Sequence, residues 1–598
     1  MATKTEDATT PNAEELTATI GKIAEQSQRI VTDFIARQGD TRDPDHDPLN
    51  IGSAFMEMTQ RMMADPARLA QAQVDLWNSY MALWQQTANR MMGQDAESLA
   101  EPDSDDRRFS DAAWQENPVF DYIKQSYLLT SKWMINTVRE TEGMEDETAR
   151  KVDFYTRQFV DAIAPTNFAM TNPQVLRETV DTKGQNLING LSNLLDDLER
   201  GKGQLAIKHV DPDAFEIGKS VATTPGKVVF QNELFQLLQF NPGTDKVRKT
   251  PLLIVPPWIN KYYILDLREK NSFIKWAVDQ GHTIFVVSWV NPDEKLALKT
   301  FEDYMLDGPV AAIGAACEAA GAEKVNVIGY CIGGTMTATA LAYMAEKGDD
   351  RVASATFFTT LIDFEEPGEL GVFIDEEQIA SLEEKMSERG YLEGSEMAST
   401  FSMLRANDLI WSFVINNYLM GKEPFPFDLL FWNADSTRMP AVMHSYYLRM
   451  MYQANALVQP GGLELGGVKI DLRKIKVPVY ILSTKEDHIA PWKSTFAATQ
   501  LYSGNTTFVL ASSGHIAGVV NPPVSDHYSY RTNAKKAKTP DEWLEGAKEH
   551  PGSWWPHWDK WVNKYADGEV GAREPGKGKM KVIEDAPGSY VMVRSDKD

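Results

Sequence analysis

The spacing of apolar positions changes once along this chain, near residue 203. Upstream the period is helical. Between Leu69 and Met92 the residues Leu76, Trp77, Tyr80, Met81, Trp84, Ala88 and Met91 recur every three to four positions, which places them on one helix face. That face is expected to bury against another helix or a second copy, or to dock on an apolar surface, and Met56, Met58, Met62 and Met63 share its character. Phe120, Ile123, Tyr127 and Met134 continue the helical spacing after Asn117-Pro118, and Val180 to Leu198 predicts a last amphipathic helix before Gly201-Lys202-Gly203. A helical domain over residues 1–203 is therefore expected. The stretch 38–50, rich in Asp, Pro and Gly, and the acidic stretch 94–108 read as loops, so that partial disorder is expected near 1–50 and 94–106.

Downstream, short β-rich runs alternate with helical text. Strands are predicted at Lys227 to Phe230, Phe235 to Phe240, Leu252 to Val255, Thr283 to Val287, Lys324 to Ile328, Ser354 to Thr359, Val477 to Ser483 and Thr507 to Leu510. Asp266 to Gln280, Phe301 to Ala320, Gly333 to Lys347 and Pro491 to Leu501 are each long enough for a crossover helix. Apolar strands separated by helices predict an α/β domain over 204–598, built on a mostly parallel sheet flanked by helices. From about Asp363 to Gln459 the rhythm gives way to acidic, Met-rich and aromatic helical text, which reads as a cap inserted between sheet strands. The polar C-terminal stretch carries Trp543, Trp554, Trp555, Trp558 and Trp561, expected as packing anchors. No repeat of 20–50 residues is present.

Composition removes several function classes. Across 598 residues, 85 acidic and 60 basic side chains leave a formal charge of -25, which speaks against a nucleic-acid partner. The two cysteines, Cys317 and Cys331, are too few for a disulfide framework or a thiolate metal cluster, so that no metal and a reducing, cytoplasmic location are expected. No apolar run approaches the roughly 20 residues that span a bilayer, and the N-terminal residues do not resemble a secretion signal.

The chemistry centres on Val325-Asn326-Val327-Ile328-Gly329-Tyr330-Cys331-Ile332-Gly333-Gly334-Thr335, a strand entering a helix through Gly-x-Cys-x-Gly. This is the nucleophile-elbow pattern of the α/β-hydrolase fold with sulfur in place of the serine oxygen. It places Cys331 at a helix N-terminus, where orphan amides favour a thiolate. In that fold the acid and then the base follow in chain order. Asp487 lies after the run Val477 to Ser483, and His515 lies after Thr507 to Leu510. Glu486 rivals Asp487 as the acid and His488 rivals His515 as the base. His444 reads as packed or surface-bound, and His46, His209, His282, His527, His550 and His557 as structural or solvated. The backbone amide of Ile332 is the expected first oxyanion donor. The second is expected from Trp258 or Ile259, since Pro256 and Pro257 have no N–H. A thiolate exchanges with a thioester at almost no energetic cost and keeps the acyl group activated, so the cysteine favours acyl transfer from a thioester. A cysteine α/β hydrolase that gives the acyl group to water (a thioesterase) and a non-catalytic interaction protein on the same scaffold are the alternatives.

These motifs together resemble the polyhydroxyalkanoate synthases, class I in particular. The elbow resembles that family's lipase-like box, and Pro256-Pro257-Trp258-Ile259-Asn260-Lys261-Tyr262-Tyr263-Ile264-Leu265-Asp266-Leu267 its oxyanion loop. Asp487-His488-Ile489-Ala490-Pro491-Trp492 and Gly514-His515-Ile516-Ala517-Gly518 are similar to its acid and base motifs. Arg107-Arg108-Phe109-Ser110-Asp111, Tyr122 to Leu129, Thr171-Asn172-Pro173 and Gly552-Ser553-Trp554-Trp555-Pro556 extend the likeness over most of the chain. The resemblance implies polymerisation of (R)-3-hydroxyacyl-CoA, most simply 3-hydroxybutyryl-CoA, into polyester. Cys331 would carry the acyl group, His515 would be its base, and Asp487 would orient the base and activate the incoming hydroxyl. It further implies CoA as leaving group rather than retained cofactor, a homodimer, and residence at the surface of a cytoplasmic polyester granule. The cap would cover the site and supply dimer contacts near Phe427 and Trp432.

Overall fold

The computed structural model describes residues 51–594 except 95, 105 and 526, so the loop read at 38–50, the disorder expected over 1–50 and His46 lie outside the described residues. Two compact units emerge, one comprising the chain up to Asp211 together with Arg405–Phe425, the other comprising the rest from Pro212 onward.

The first unit is helical: α1 (Ile51–Ala64), α2 (Pro66–Met91), α3 (Pro118–Arg139), α4 (Asp146–Ala162), α5 (Pro173–Asp181) and α6 (Gln185–Arg200). Three of these helices begin on the same device, a side-chain oxygen followed by proline at the first helical position, where the missing N–H costs nothing. Asp65 accepts from the Arg68 amide, Asn117 from Val119, and Asn172 from Gln174 and Val175. Arg108 ties the unit together by donating to Asp106, the Tyr127 hydroxyl, Asp161 and Asn407. The described residues of 94–106 have no regular secondary structure, but Gln125 accepts from the amides of Leu99 and Ala100 and Gln86 donates to the Glu97 carbonyl. On α2, Leu83 is buried, whereas Trp77, Met81, Trp84 and Met91 from the predicted apolar face stand exposed. Within this unit, Arg405–Phe425 packs on α6. Asn186 donates to the Leu419 carbonyl (2.8 Å), Asn193 to Asn417 (3.0 Å), and the Tyr418 hydroxyl to Asp197 (2.5 Å).

The second unit is built on an 11-stranded sheet. Its strands are β1 (Gly226–Gln231), β2 (Phe235–Phe240), β3 (Leu252–Val255), β4 (Ile284–Trp289), β5 (Val325–Tyr330), β6 (Val352–Phe358), β7 (Val479–Thr484), β8 (Thr506–Ala511), β9 (Ser529–Thr532), β10 (Lys548–Pro551) and β11 (Glu584–Asp585). They lie in the order β10-β9-β8-β7-β6-β5-β3-β4-β2-β1-β11. The run β8-β7-β6-β5-β3-β4 is parallel, and antiparallel strands extend it on both sides. The central strands are buried along their whole length, as expected of a sheet covered on both faces. This is the α/β-hydrolase arrangement.

Every strand read from the sequence is present, within two residues at each end. Strands β9 to β11 were not legible, because they are polar and only partly buried and so carry no apolar period. Three predicted crossover helices are shorter than expected or broken, among them Pro491 to Leu501, which forms as the short turns Trp492–Phe496 and Ala498–Leu501. Only α7 (Phe273–Asp279) forms within Asp266 to Gln280, started by the Ser272 cap on the Lys275 amide. The helix expected over Phe301 to Ala320 is interrupted at Gly308-Pro309, where Gly308 is non-helical, and resumes as α8 (Ala311–Ala320). The helix α9 (Ile332–Lys347) follows β5 directly.

The inserted cap lies between the neighbouring strands β6 and β7. Within this unit it contains α10 (Glu376–Arg389), α11 (Asp428–Ala434) and α12 (Ala441–Tyr447), whereas its middle stretch is the segment packed on α6. The five tryptophans of the C-terminal stretch are all buried, consistent with packing anchors.

Candidate active site

Strand β5 lies between β3 and β6, with Gly329 registered against Val255 on one side and Phe357 on the other. The chain leaves it through Cys331 at φ 52°, ψ -126°, a strained conformation for a residue with a side chain, and enters α9 immediately. The Cys331 amide is held by the Phe358 carbonyl (2.9 Å). The flanking glycines are set by close approach. A Cβ on Gly329 would lie 2.5 Å from the Gly334 Cα, and one on Gly333 would press on the carbonyl oxygens of Pro256 and, at 2.5 Å, Val255. The first turn of α9 therefore rests on the start of the loop that follows β3. Gly333→Ala is expected to force these backbones apart, costing roughly 1–3 kcal/mol of stability and lowering kcat/KM about 100-fold. Urea unfolding and an assay of acyl transfer check this, and wild-type values in both would contradict the packing argument.

Asp487 and His515 come together from the ends of β7 and β8. His515 Nδ1 is 2.7 Å from Asp487 Oδ2. The carboxylate is fully enclosed, with Oδ1 accepting from the amides of Ile489 and Ala490 and Oδ2 also accepting from the Thr484 hydroxyl. Burial acts to lower the His515 pKa. The charges of Asp487 and Cys331, and hydrogen bonds to both, outweigh it and hold the imidazole well above its usual value. His515 thus faces the carboxylate on one side and the Cys331 sulfur on the other. Because Nδ1 is taken by Asp487, Nε2 is the nitrogen left for the sulfur. Glu486 is exposed and is not part of this pair. His488 lies on the acid's loop, and its carbonyl accepts from the amide of Glu369 at the start of the cap. His444 is buried, and burial alone lowers it to about 4.

The predicted oxyanion residues fall on two sides of this centre. Ile332 is the first residue of α9. Trp258 and Ile259 follow β3, and the Trp258 carbonyl accepts from the Thr437 hydroxyl (2.8 Å). That bond fixes the planar Trp258–Ile259 peptide, so the Ile259 N–H points away from Thr437.

Several residues around the site were not legible as functional. The Tyr330 ring stacks on His515 at 5.9 Å and its hydroxyl donates to the His515 carbonyl (3.3 Å). Trp554 and Trp555 donate to the carbonyls of Gly518 (2.9 Å) and Val519 (3.0 Å), which pins the loop carrying His515. Tyr447 is raised by burial and then by the neighbouring Tyr452 and Cys331, and Tyr452 by burial and then by Cys331. Tyr447 packs edge-on against Trp258 of the oxyanion loop (5.8 Å), and Tyr452 packs at a tilt against Phe364 (5.0 Å). Only the apolar helical spacing of Met443 to Tyr452 hints at this in the sequence. Trp432 is buried and donates to the Lys261 carbonyl, whereas Phe427 is partly exposed. Among the described residues no cluster of three or more His, Cys, Asp or Glu could hold a metal ion.

Comparison with known proteins adds the following. Residues 105–277 match the family model for the poly-beta-hydroxybutyrate polymerase (PhaC) N-terminus, and 251–522 match the alpha/beta hydrolase fold. The poly(3-hydroxyalkanoate) polymerase subunit PhaC of Rhizobium meliloti (strain 1021) is 47% identical over 97% of this chain and 95% of its own length. The poly(3-hydroxyalkanoate) polymerase of Methylorubrum extorquens is 50% identical over 90% of this chain and 89% of its own. Among solved structures, the monoacylglycerol lipase of Paleococcus ferrophilus is 14% identical, covering 54% of this chain and 97% of that one with a TM-score of 0.29. At that score the likeness adds nothing to the fold described above.

Proposed function

The chain belongs to the poly(3-hydroxyalkanoate) polymerase family and is an acyltransferase, and from that premise we propose that it polymerises (R)-3-hydroxyacyl-CoA, most simply 3-hydroxybutyryl-CoA, through an acyl-Cys331 intermediate. The observation that carries this reading is a cysteine at the elbow of β5, facing a histidine paired with a buried aspartate, in a chain so similar to polymerases from end to end.

The steps follow from the geometry. His515 takes the Cys331 proton, and the sulfur attacks the thioester carbonyl. The amide of Ile332, with that of Trp258 or Ile259, carries the oxyanion. The carbonyl–sulfur bond to CoA breaks, and His515 returns its proton to the leaving thiolate. The 3-hydroxyl of the next acyl group then gives its proton to His515, its oxygen attacks the acyl-cysteine, and Cys331 leaves as thiolate and is reprotonated. Both oxygens of Asp487 are already occupied, which supports an orienting role for Asp487 and activation of the incoming hydroxyl by His515.

In this reading CoA is a product and no cofactor is retained. No helix among the described residues is long and apolar enough to cross a membrane. The exposed row Trp77, Met81, Trp84 and Met91 supports a homodimer working at the surface of a cytoplasmic granule. Incubation with (R)-3-hydroxybutyryl-CoA should release CoA and deposit insoluble polyester. Release of CoA with only soluble 3-hydroxybutyrate would identify a hydrolase instead.

A further inference from the structure

The loop after β3 is gripped by one short piece of the cap, the end of α11 and the residues that follow it. The Trp432 indole donates to the Lys261 carbonyl (2.7 Å), the Lys261 ammonium meets Asp435 Oδ1 (2.7 Å), and the Thr437 hydroxyl donates to the Trp258 carbonyl (2.8 Å). Between these contacts Asn260 and Ser436 form an antiparallel bridge. Residues ascending from 432 to 437 thus meet residues descending from 261 to 258, in the manner of a strand pair. At its centre lies a fully enclosed ion pair, with the Lys261 side chain 3% and the Asp435 side chain 1% exposed. Asp435 also accepts from the Tyr263 hydroxyl (2.8 Å), and Lys261 also donates to the Val591 carbonyl (2.7 Å). A buried ion pair is a weak source of stability and is best attested as a device that fixes register. Here the register it fixes is that of the peptide carrying the Trp258 and Ile259 amides.

We propose that Lys261, Asp435 and Thr437 are positioning residues through which the cap aims the oxyanion loop, so that the second oxyanion donor is in place only while this cap segment is seated. The inference rests on the function proposed above, since it presupposes a tetrahedral acyl intermediate at Cys331. The clamp touches the backbone of the loop and none of Cys331, His515 or Asp487. Its loss should therefore slow acylation and leave the thiol itself as reactive as before.

The test compares two reactions of the same sulfur. Acylation by 3-hydroxybutyryl-CoA forms an oxyanion, whereas alkylation by iodoacetamide does not. Lys261→Met or Asp435→Asn alone would leave a buried charge without its partner and can unfold the chain. Thr437→Val, which removes one hydroxyl, and the double variant Lys261→Met/Asp435→Leu, which removes both charges, avoid this. Each is expected to lower kcat for CoA release about 10- to 100-fold, in line with loss of oxyanion positioning, with KM within threefold and the rate of Cys331 alkylation within twofold of wild type. Folded variants with wild-type kcat would overturn the proposal, as would a parallel fall in alkylation, which would mean that the clamp acts on the triad or on the whole fold. An absence of CoA release from the wild type would instead defeat the underlying reading.

Discussion

Cys331→Ala is expected to lower CoA release from (R)-3-hydroxybutyryl-CoA by about 10^4- to 10^6-fold, the range seen when a triad nucleophile is removed, while the protein still folds. Structure and chemistry separate cleanly at this position. The elbow is held by the carbonyl of Phe358 on the Cys331 amide and by the close approach of Gly329, Gly333 and Gly334 to their neighbours, none of which involves the sulfur. Alanine keeps the small Cβ that already tolerates φ 52°. Steady-state CoA release and thermal unfolding check both halves of the expectation. A variant that retained even a tenth of the activity would show that the nucleophile lies elsewhere.

The second large effect is expected at Asp487. Replacing it with asparagine keeps the shape but removes the charge that raises the His515 imidazole and keeps its Nδ1–H directed inward, and the equivalent change in a serine triad costs about 10^4-fold in kcat. A pH signature accompanies this loss. Because the folded-state pKa of His515 is raised above the unfolded value of about 6.5, its protonation contributes stability that is fully present below that value and is lost as pH rises through the raised one. With asparagine the largest of the effects that oppose burial, the Asp487 charge, is gone and the contribution shrinks. Urea unfolding near pH 6 and pH 9 should find the wild type's advantage over Asp487→Asn shrinking toward alkaline pH, and an advantage that stayed constant or grew would contradict the assignment.

The central sheet and the elbow were legible because their residues obey one rule each. Leu252–Val255 is an unbroken apolar run that suits a strand buried on both faces, and Gly329, Cys331 and Gly333 stand at a spacing that few other local structures need. Asp487 and His515 were found by position, each just past a strand's C-terminal end. What could not be read depends on partners distant in the chain. Ser529–Thr532 forms a strand because β8 offers it an edge, and Lys548–Pro551 because Ser529–Thr532 offers the next one, a fact absent from their own polar residues. The break at Gly308-Pro309 comes from a glycine and a proline set inside an otherwise apolar helical spacing. Lys261 and Asp435 resemble surface residues until the fold encloses them together, and Trp554 and Trp555 were read as anchors without any sign that they anchor the loop of the catalytic base.

The most direct test of the account is to locate the acyl group. Wild-type protein mixed with (R)-3-hydroxybutyryl-CoA, quenched within a turnover, digested and examined by peptide mass spectrometry should carry hydroxybutyryl on the peptide containing Cys331, in a linkage cleaved by neutral hydroxylamine as a thioester is. An acyl group on any other residue, or CoA release with no acylated peptide at any quench time, would contradict it.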